Sequence, residues 1–180
     1  NGLFYTLSCG KLPSGRGLGE PVRLMIDLPN DQDVVALFVH KPKQRLLVAS
    51  SDGRGFVVEE DGVLAEKRTG KQVLNLGKEA EACVCVPALG DSIAVVGDNR
   101  RLLLFPASQV PVLARGRGVI LQRYREGGLG DAKMFYRSDG FSWRTGAGVR
   151  NQGAAAEWYG KRGQAGRVVP KGFPKGLKFG

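Results

Sequence analysis

The 180-residue sequence is 42% hydrophobic and 24% charged, a balance unlike that of a disordered chain and sufficient for one sizeable core or several small stacked ones. No apolar run approaches the ~18–20 residues of a membrane span, and nothing at Asn1 resembles a secretory signal. The net charge of +10 is uneven: residues 1–49 carry six basic and four acidic side chains, residues 50–98 five and nine, residues 99–180 sixteen and four. Such a field attracts a polyanion, nucleic acid by default, and solubility alone does not require the asymmetry.

One phrase recurs along the chain. Asn1-Gly2-Leu3-Phe4-Tyr5 opens it, followed by Gly19-Glu20-Pro21-Val22 and two strand-like runs, Arg23–Ile26 and Val34–Val39, with His40 in a loop. The second copy has its leading strand: Leu47-Val48-Ala49-Ser50-Ser51-Asp52-Gly53-Arg54-Gly55-Phe56-Val57-Val58. It leads through Glu59-Glu60-Asp61-Gly62, read as a hairpin turn and not a metal site, to Gly70-Lys71-Gln72-Val73 and the runs Leu74–Leu76 and Ala82–Val86. The third copy is Ile93–Val96, Gly97-Asp98-Asn99-Arg100-Arg101 and Leu102–Phe105, then Gly116-Arg117-Gly118-Val119 and Ile120–Gln122. Ser138-Asp139-Gly140-Phe141-Ser142-Trp143 is a shorter fourth.

Each full copy is an apolar run, an Asp-Gly or Asp-Asn turn and a second apolar run, which is a β-hairpin signature because Gly and Asn adopt positive φ cheaply. With Gly2, Gly53, Asn99 and Gly140 equivalent, the spacings are 51, 46 and 41; Gly19, Gly70 and Gly116 repeat the 51 and 46. Four short strands per unit predict an all-β, propeller-like array of about four four-stranded blades, open because the count is below a full ring. The blades fall at about 1–45, 46–90 and 91–137, with a divergent last blade and basic segment over 138–180. Ala154–Trp158, bracketed by Gly153 and Gly160, allows one helical turn at most.

Cys9, Cys83 and Cys85 are odd in number, and two sit in an apolar run, so they read as buried, reduced thiols of a cytosolic protein. With a single histidine, no metal site is expected. Phe56, Leu102, Phe105, Phe135, Trp143 and Phe173 lie in strand runs and read as core or interblade packing, not as base-stacking platforms.

Asp-Gly hairpins followed by an Arg/Lys-Gly-x-Gly-Val phrase resemble the β-pinwheel C-terminal domains of gyrase and topoisomerase IV A subunits. The likeness is carried by Ser51–Phe56, Lys67–Val73, Val96–Leu102 and Ala114–Val119. The ending, Gly163-Gln164-Ala165-Gly166-Arg167-Val168-Val169-Pro170-Lys171-Gly172-Phe173, is similar to the closing segment of α-proteobacterial topoisomerase IV A subunits. Gyrase subunits carry a Gln-Arg-Arg-Gly-Gly-Lys/Arg-Gly box for chiral wrapping; Leu113–Val119 keeps only Arg-Gly-x-Gly, which favours the topoisomerase IV side.

The resemblance implies sequence-independent binding and bending of duplex DNA on the outer rim, in support of decatenation and relaxation by an ATP-dependent type II topoisomerase of the bacterial cytoplasm and nucleoid. Its implied partners are a chromosome-organising protein, the A-subunit dimer and an ATPase B subunit, with no membrane insertion. Magnesium and ATP would act through other domains and that ATPase partner, with no cofactor and no catalysis in this chain. Arg123-Tyr124 lies inside a blade and is not read as the family's catalytic pair. A gyrase wrapping domain and a propeller scaffold for protein partners are the alternatives; salt dependence separates a DNA binder from the scaffold.

Duplex binding needs cations spaced along an edge with backbone able to approach phosphates. Arg115 and Arg117, interleaved with glycines, fit best; Arg68 and Lys71 sit nearby in the preceding blade and Arg16 in the first. Arg100 and Arg101 would protrude from a turn, Arg123 and Arg125 would share a strand face, and Lys161, Arg162, Arg167 and Lys171 would lie on a basic tail. The acidic Glu59–Asp61 turn should face away from DNA.

Overall fold

A computed structural model describes residues 1–180, with twelve short β-strands, six single-turn 3-10 segments and no α-helix. The strands are β1 (Leu3–Phe4), β2 (Arg45–Ser50), β3 (Arg54–Glu59), β4 (Lys71–Gln72), β5 (Ala82–Pro87) and β6 (Ser92–Gly97). They continue with β7 (Arg101–Pro106), β8 (Val119–Ile120), β9 (Leu129–Phe135), β10 (Ser142–Thr145), β11 (Gly148–Asn151) and β12 (Arg167–Val168).

Two complete blades form the centre, antiparallel sheets ordered β5-β2-β3-β8 and β12-β7-β6-β9; the pairs β1-β4 and β10-β11 flank them. The β2-β3 and β6-β7 hairpins close as expected, with the Gly53 and Arg100 amides donating to Ser50 and Gly97 carbonyls, each at 2.9 Å. The outer strands follow a rule of exchange: each short strand pairs with the hairpin before its own. β4 follows β3 in sequence but pairs with β1; β8 follows β7 but pairs with β3; β12 follows β11 but pairs with β7. Blades are thus stitched to their neighbours by main-chain hydrogen bonds as well as by packing.

Every residue of β6 is buried, and its two faces serve two cores. Ile93 and Val95, with Leu103 and Phe105 of β7, pack toward the β2-β3 blade; Ala94 and Val96, with Leu102 and Leu104, pack toward the last hairpin. The period of two along the strand produces this division. Phe56, Leu102, Phe105, Trp143 and Phe173 are buried and Phe135 packs against the last core, as expected. That core is aromatic, with Trp143 5.5 Å from Phe141 and 5.3 Å from Phe173 between ring centroids. The accessible surface of 10953 Å² exceeds the roughly 8,500 Å² of a compact globule of this mass, as suits a row of sheets that does not close into a barrel.

Several sequence expectations need correction. Only two blades are four-stranded. Arg23–Ile26 and Val34–Val39 form no strand; a 3-10 turn covers Val22–Leu24 and Val34–Val39 are exposed. The turn residue equivalent to Gly53 is Arg100, not Asn99, because it is Arg100 that takes positive φ, +58° against +79°. Gly118 and not Gly116 matches Gly70, since both sit two residues before the residue paired with the hairpin (Ile120 with Arg54, Gln72 with Leu3), at φ +75° and +80°. Gly166, at +77°, is the third member, one repeat of 48 residues further on. The fourth hairpin turns at Gly146-Ala147, between Thr145 and Gly148, so Gly140 precedes its first strand and is not its turn. Residues 161–180 are no tail: β12 joins the preceding blade, and the Arg144 amide donates to the Phe179 carbonyl, tying the closing segment to the last hairpin.

Candidate nucleic-acid interface

β5 lies against β9, so the two complete sheets meet at one pair of edges and present β8 and β12 on the other. At or beside these outer edges and β4 lie six of the thirteen expected cations. Lys71 and Arg167 each follow a positive-φ glycine, Gly70 and Gly166. Arg123 and Lys171 lie five residues past Gly118 and Gly166, and Arg115 and Arg117 run into β8. Lys71, Arg115, Arg123, Arg167 and Lys171 are exposed, and the Arg117 side chain is about half exposed.

The side chains differ in how they are held. Arg16, Lys71, Arg100, Arg123, Arg125, Lys161, Arg167 and Lys171 are exposed, with no hydrogen bond or ion pair from the side chain. Arg123 and Arg125 flank Tyr124 outside any strand, so the shared strand face is replaced by an exposed loop. Arg115 Nε donates to Asn75 Oδ1 at 3.4 Å. Arg117 Nη2 lies 2.8 Å from Asp52 Oδ2. Arg68 pairs with Asp27 at 3.6 Å and donates to the Leu24 carbonyl at 2.8 Å, tying the first unit to the second. Arg162 is half-buried, donates to the Ile120 carbonyl at 2.6 Å and braces β8, so it is not on a solvated tail.

Arg101 has an internal role that its turn position did not suggest. Its Nη1 donates to the Gly166 carbonyl at 3.1 Å, and Arg54, at the same place in the preceding hairpin, reaches Gly118 at 3.4 Å. Each guanidinium clasps the incoming exchange strand at its positive-φ glycine. The sequence signal was present, an arginine just after the turn in both copies, but it reads as a charge unless the exchange is known.

Gln122 and Tyr124 were also missed as structural partners. The Tyr124 ring fills the space over Gly53 and Gly97, where a Cβ on Gly53 would meet it at 2.6 Å and one on Gly97 would overlap it. Its hydroxyl donates to Gln122 Oε1 at 3.0 Å, and the buried Gln122 amide donates to the Arg101 and Ala165 carbonyls at 3.0 and 2.8 Å. Burial pushes the Tyr124 phenol well above the usual tyrosine range.

The acidic run after β3 is a 3-10 turn, Glu60–Val63, and not a hairpin turn. Glu60 is buried and accepts the Lys41 amide at 2.6 Å; Asp61 accepts the Lys43 amide at 3.0 Å and lies 2.9 Å from His40. The run is a socket for the loop before β2, and His40 has a hydrogen-bond partner there in Asp61. Cys83 and Cys85 are half-buried free thiols pushed up to about 12, chiefly by burial, whereas Cys9 is exposed, against expectation.

The chain matches the family model described as DNA gyrase C-terminal domain, beta-propeller, over residues 44–84 and 91–129, which are the two complete hairpin units. It is 46% identical to the A subunit of DNA topoisomerase 4 from Caulobacter vibrioides, and 39% identical to that from Rickettsia bellii. Each match covers 99% of this chain and 24% of the relative, so the chain spans about a quarter of the length of these curated relatives. The solved structure of the E. coli ParC C-terminal domain superposes with a TM-score of 0.82 at 26% identity, covering 97% of this chain and 75% of that one. No helix is long and apolar enough to cross a membrane. With its exchanged outer strands and repeated glycine phrase, the chain is similar along its whole length to topoisomerase 4 A subunits, and its two complete hairpin units belong to the family of DNA gyrase C-terminal, β-propeller domains.

Proposed function

We propose that this chain binds duplex DNA without reading its sequence, along the outer edges formed by β4, β8 and β12. Within the longer protein it would bend the duplex and present it to the cleavage core of a type II topoisomerase of the topoisomerase IV kind. The A-subunit dimer and ATPase B subunit would be its partners, and the bacterial cytoplasm and nucleoid its setting. The observation that supports this most is the recurrence of exposed, unpaired cations on or just after successive outer strands: Lys71 in β4, Arg123 in the loop after β8, Arg167 in β12 and Lys171 in the turn after it. Each such group can neutralise a phosphate and release condensed counterions, and phosphate contacts of this kind carry no sequence information.

The test is a titration of duplexes of unrelated sequence at several salt concentrations. Affinity should fall steeply with salt and be similar for all sequences, with log K falling about 0.9 per phosphate contact for each unit of log salt. The Arg115→Ala, Arg117→Ala double variant should flatten that slope by up to about 2 units and remain folded, since exposed arginines contribute little to stability. A folded double variant with unchanged slope and affinity would move the track to the basic region from Arg144 to Lys178. Glu59, an exposed member of the acidic run, is the control: its neutralisation should leave binding unchanged or slightly tighter.

A further inference from the structure

Arg117 is the one cation of the proposed β8 edge already bound to an acid. Asp52, in the β2-β3 turn, holds Arg117 Nη2 at 2.8 Å with Oδ2 and takes a 2.5 Å hydrogen bond from Ser50 Oγ on Oδ1. Burial raises the Asp52 carboxyl, but the hydrogen bonds from Ser50 and Arg117 and the charges of Arg117 and Arg54 outweigh it and hold the group below the usual range. Asp52 is therefore ionised at neutral pH. Gly77 leaves the slot in which the guanidinium lies: a Cβ there would meet Arg117 Nη2 at 2.7 Å.

The repeats supply a comparison. The residue before the positive-φ turn position is Asn1, Asp52 and Asn99 in successive hairpins. The residue before the positive-φ glycine of the matching exchange strand is Thr69, Arg117 and Ala165. The acid thus stands only in the blade that has the arginine. In the other two turns the asparagine Oδ1 accepts the amide two residues on, Leu3 and Arg101, each at 3.1 Å. Asp52 forgoes that local cap and faces Arg117 instead.

We propose that Asp52 acts as an internal phosphate mimic: its carboxylate occupies Arg117 in the DNA-free chain, and a DNA phosphate must displace it. The proposal rests on the DNA-binding reading above and names how one contact of that site is regulated. A carboxylate and a phosphate compete for the same guanidinium fork, so DNA gains only the difference between the two pairings. The contact is held closed at low DNA potential and opens only where a duplex is already seated on the flanking cations.

The test is a double-mutant cycle on DNA affinity, measured by anisotropy of a labelled mixed-sequence duplex at fixed low salt. Asp52→Asn should bind about two- to fivefold tighter, the range of an exposed ion pair. Asparagine occupies this position in both neighbouring turns, so the variant should fold. Arg117→Ala should bind more weakly, and Asp52→Asn should add nothing in the Arg117→Ala background. Gly77→Ala keeps both charges but crowds the slot, and should also tighten binding. Wild-type binding with Asp52→Asn no tighter overturns this proposal alone. Tightening that persists without Arg117 also overturns it, because the acid then acts by general repulsion. A wild-type chain that binds no DNA overturns both the DNA reading and the proposal.

Discussion

Val34–Val39 and β5 stand 48 residues apart at the same place in successive repeats; both are apolar, and Val34–Val39 is the richer in strand-forming residues. β5 pairs with β2 from Leu46↔Pro87 to Ser50↔Ala82 and contributes Val84 to the core. Val34–Val39 pair with nothing; Leu37 is 86% exposed and Val39 75%. The difference lies in the partner. β5 adds to the first strand of its own hairpin, whereas the first unit of this chain contains only a second strand, β1. Alternating or continuous apolar residues give a segment the capacity to be a strand, and a neighbouring edge decides whether it is one.

The comparison can be broken most decisively by truncating one aromatic in the unpaired segment and one in the sheet that β5 joins. Phe56 of β3 is fully buried and Phe38 is 42% exposed. Phe56→Ala should cost about 3–5 kcal/mol in urea unfolding, through lost burial and the cavity left behind. Phe38→Ala should stay within about 0.5 kcal/mol of the parent. Equal losses would mean that the first unit is packed as firmly as the centre.

Thiol chemistry sharpens the same contrast without mutation. Cys83 and Cys85 lie on β5 with their thiols pushed up to about 12 by burial, and Cys9 is exposed in the first unit. The thiolate is the reacting species, so at pH 8 only about one in ten thousand of the β5 thiols is ionised. One thiol should react quickly with a disulfide reagent and two at least about a hundredfold more slowly. The slow pair should quicken about tenfold per pH unit and become fast in denaturant. Three thiols reacting together in the native chain would contradict the burial of β5.

These regions also mark how far the sequence could be read. The hairpins at Asp52-Gly53 and Asp98–Arg100 and their aromatic core were legible, because turn chemistry and apolar runs are local signals. Strand exchange was not: β8 pairs with a hairpin more than 60 residues earlier, and no local pattern encodes that. Reading Gly116 in place of Gly118 followed directly, since the matching glycine is defined by pairing. The cations were legible as charges, but not the fates of Arg101, Arg162 and Arg117, whose partners are carbonyls and an acid supplied by other units. Glu60 looked like part of a solvated acidic turn because its partner, the Lys41 amide, is main chain.

Two glycines of like conformation give a finer test. Gly118 and Gly19 have φ of +75° and +73°, but a Cβ on Gly118 would collide with the Gly55 carbonyl and one on Gly19 would meet nothing. Gly19→Ala should therefore show only the left-handed backbone cost, about 1–2 kcal/mol where that loop is ordered. Gly118→Ala should add about 1–3 kcal/mol of steric strain where β8 crosses β3. Equal melting temperatures for the two variants would show that the exchange strand is not held at Gly118.

The smallest effect, and one of opposite sign, is expected at Arg100. It holds φ +58° at a turn position where the preceding hairpins have Gly53 and Gly2, at +79° and +75°. A side chain in that region costs about 1–2 kcal/mol, and glycine would remove the cost. Glycine also gives the unfolded chain more freedom, which offsets about 0.4–1 kcal/mol of the gain. Arg100→Gly should therefore raise stability by about 0.5 kcal/mol, or about 1–2 °C in melting temperature for a chain of this size. The reverse change at Gly53 should destabilise, because a Cβ there meets Tyr124 at 2.6 Å and the Gln122 carbonyl at 2.7 Å. Arg100 is exposed and its side chain touches no partner, so folding gives no reason for its presence at a strained position. If its charge contacts phosphate, Arg100→Gly should melt slightly higher while losing up to about 0.9 from the salt slope of DNA binding. A variant that is more stable with an unchanged slope would remove Arg100 from the rim and leave its backbone conformation without a functional counterpart.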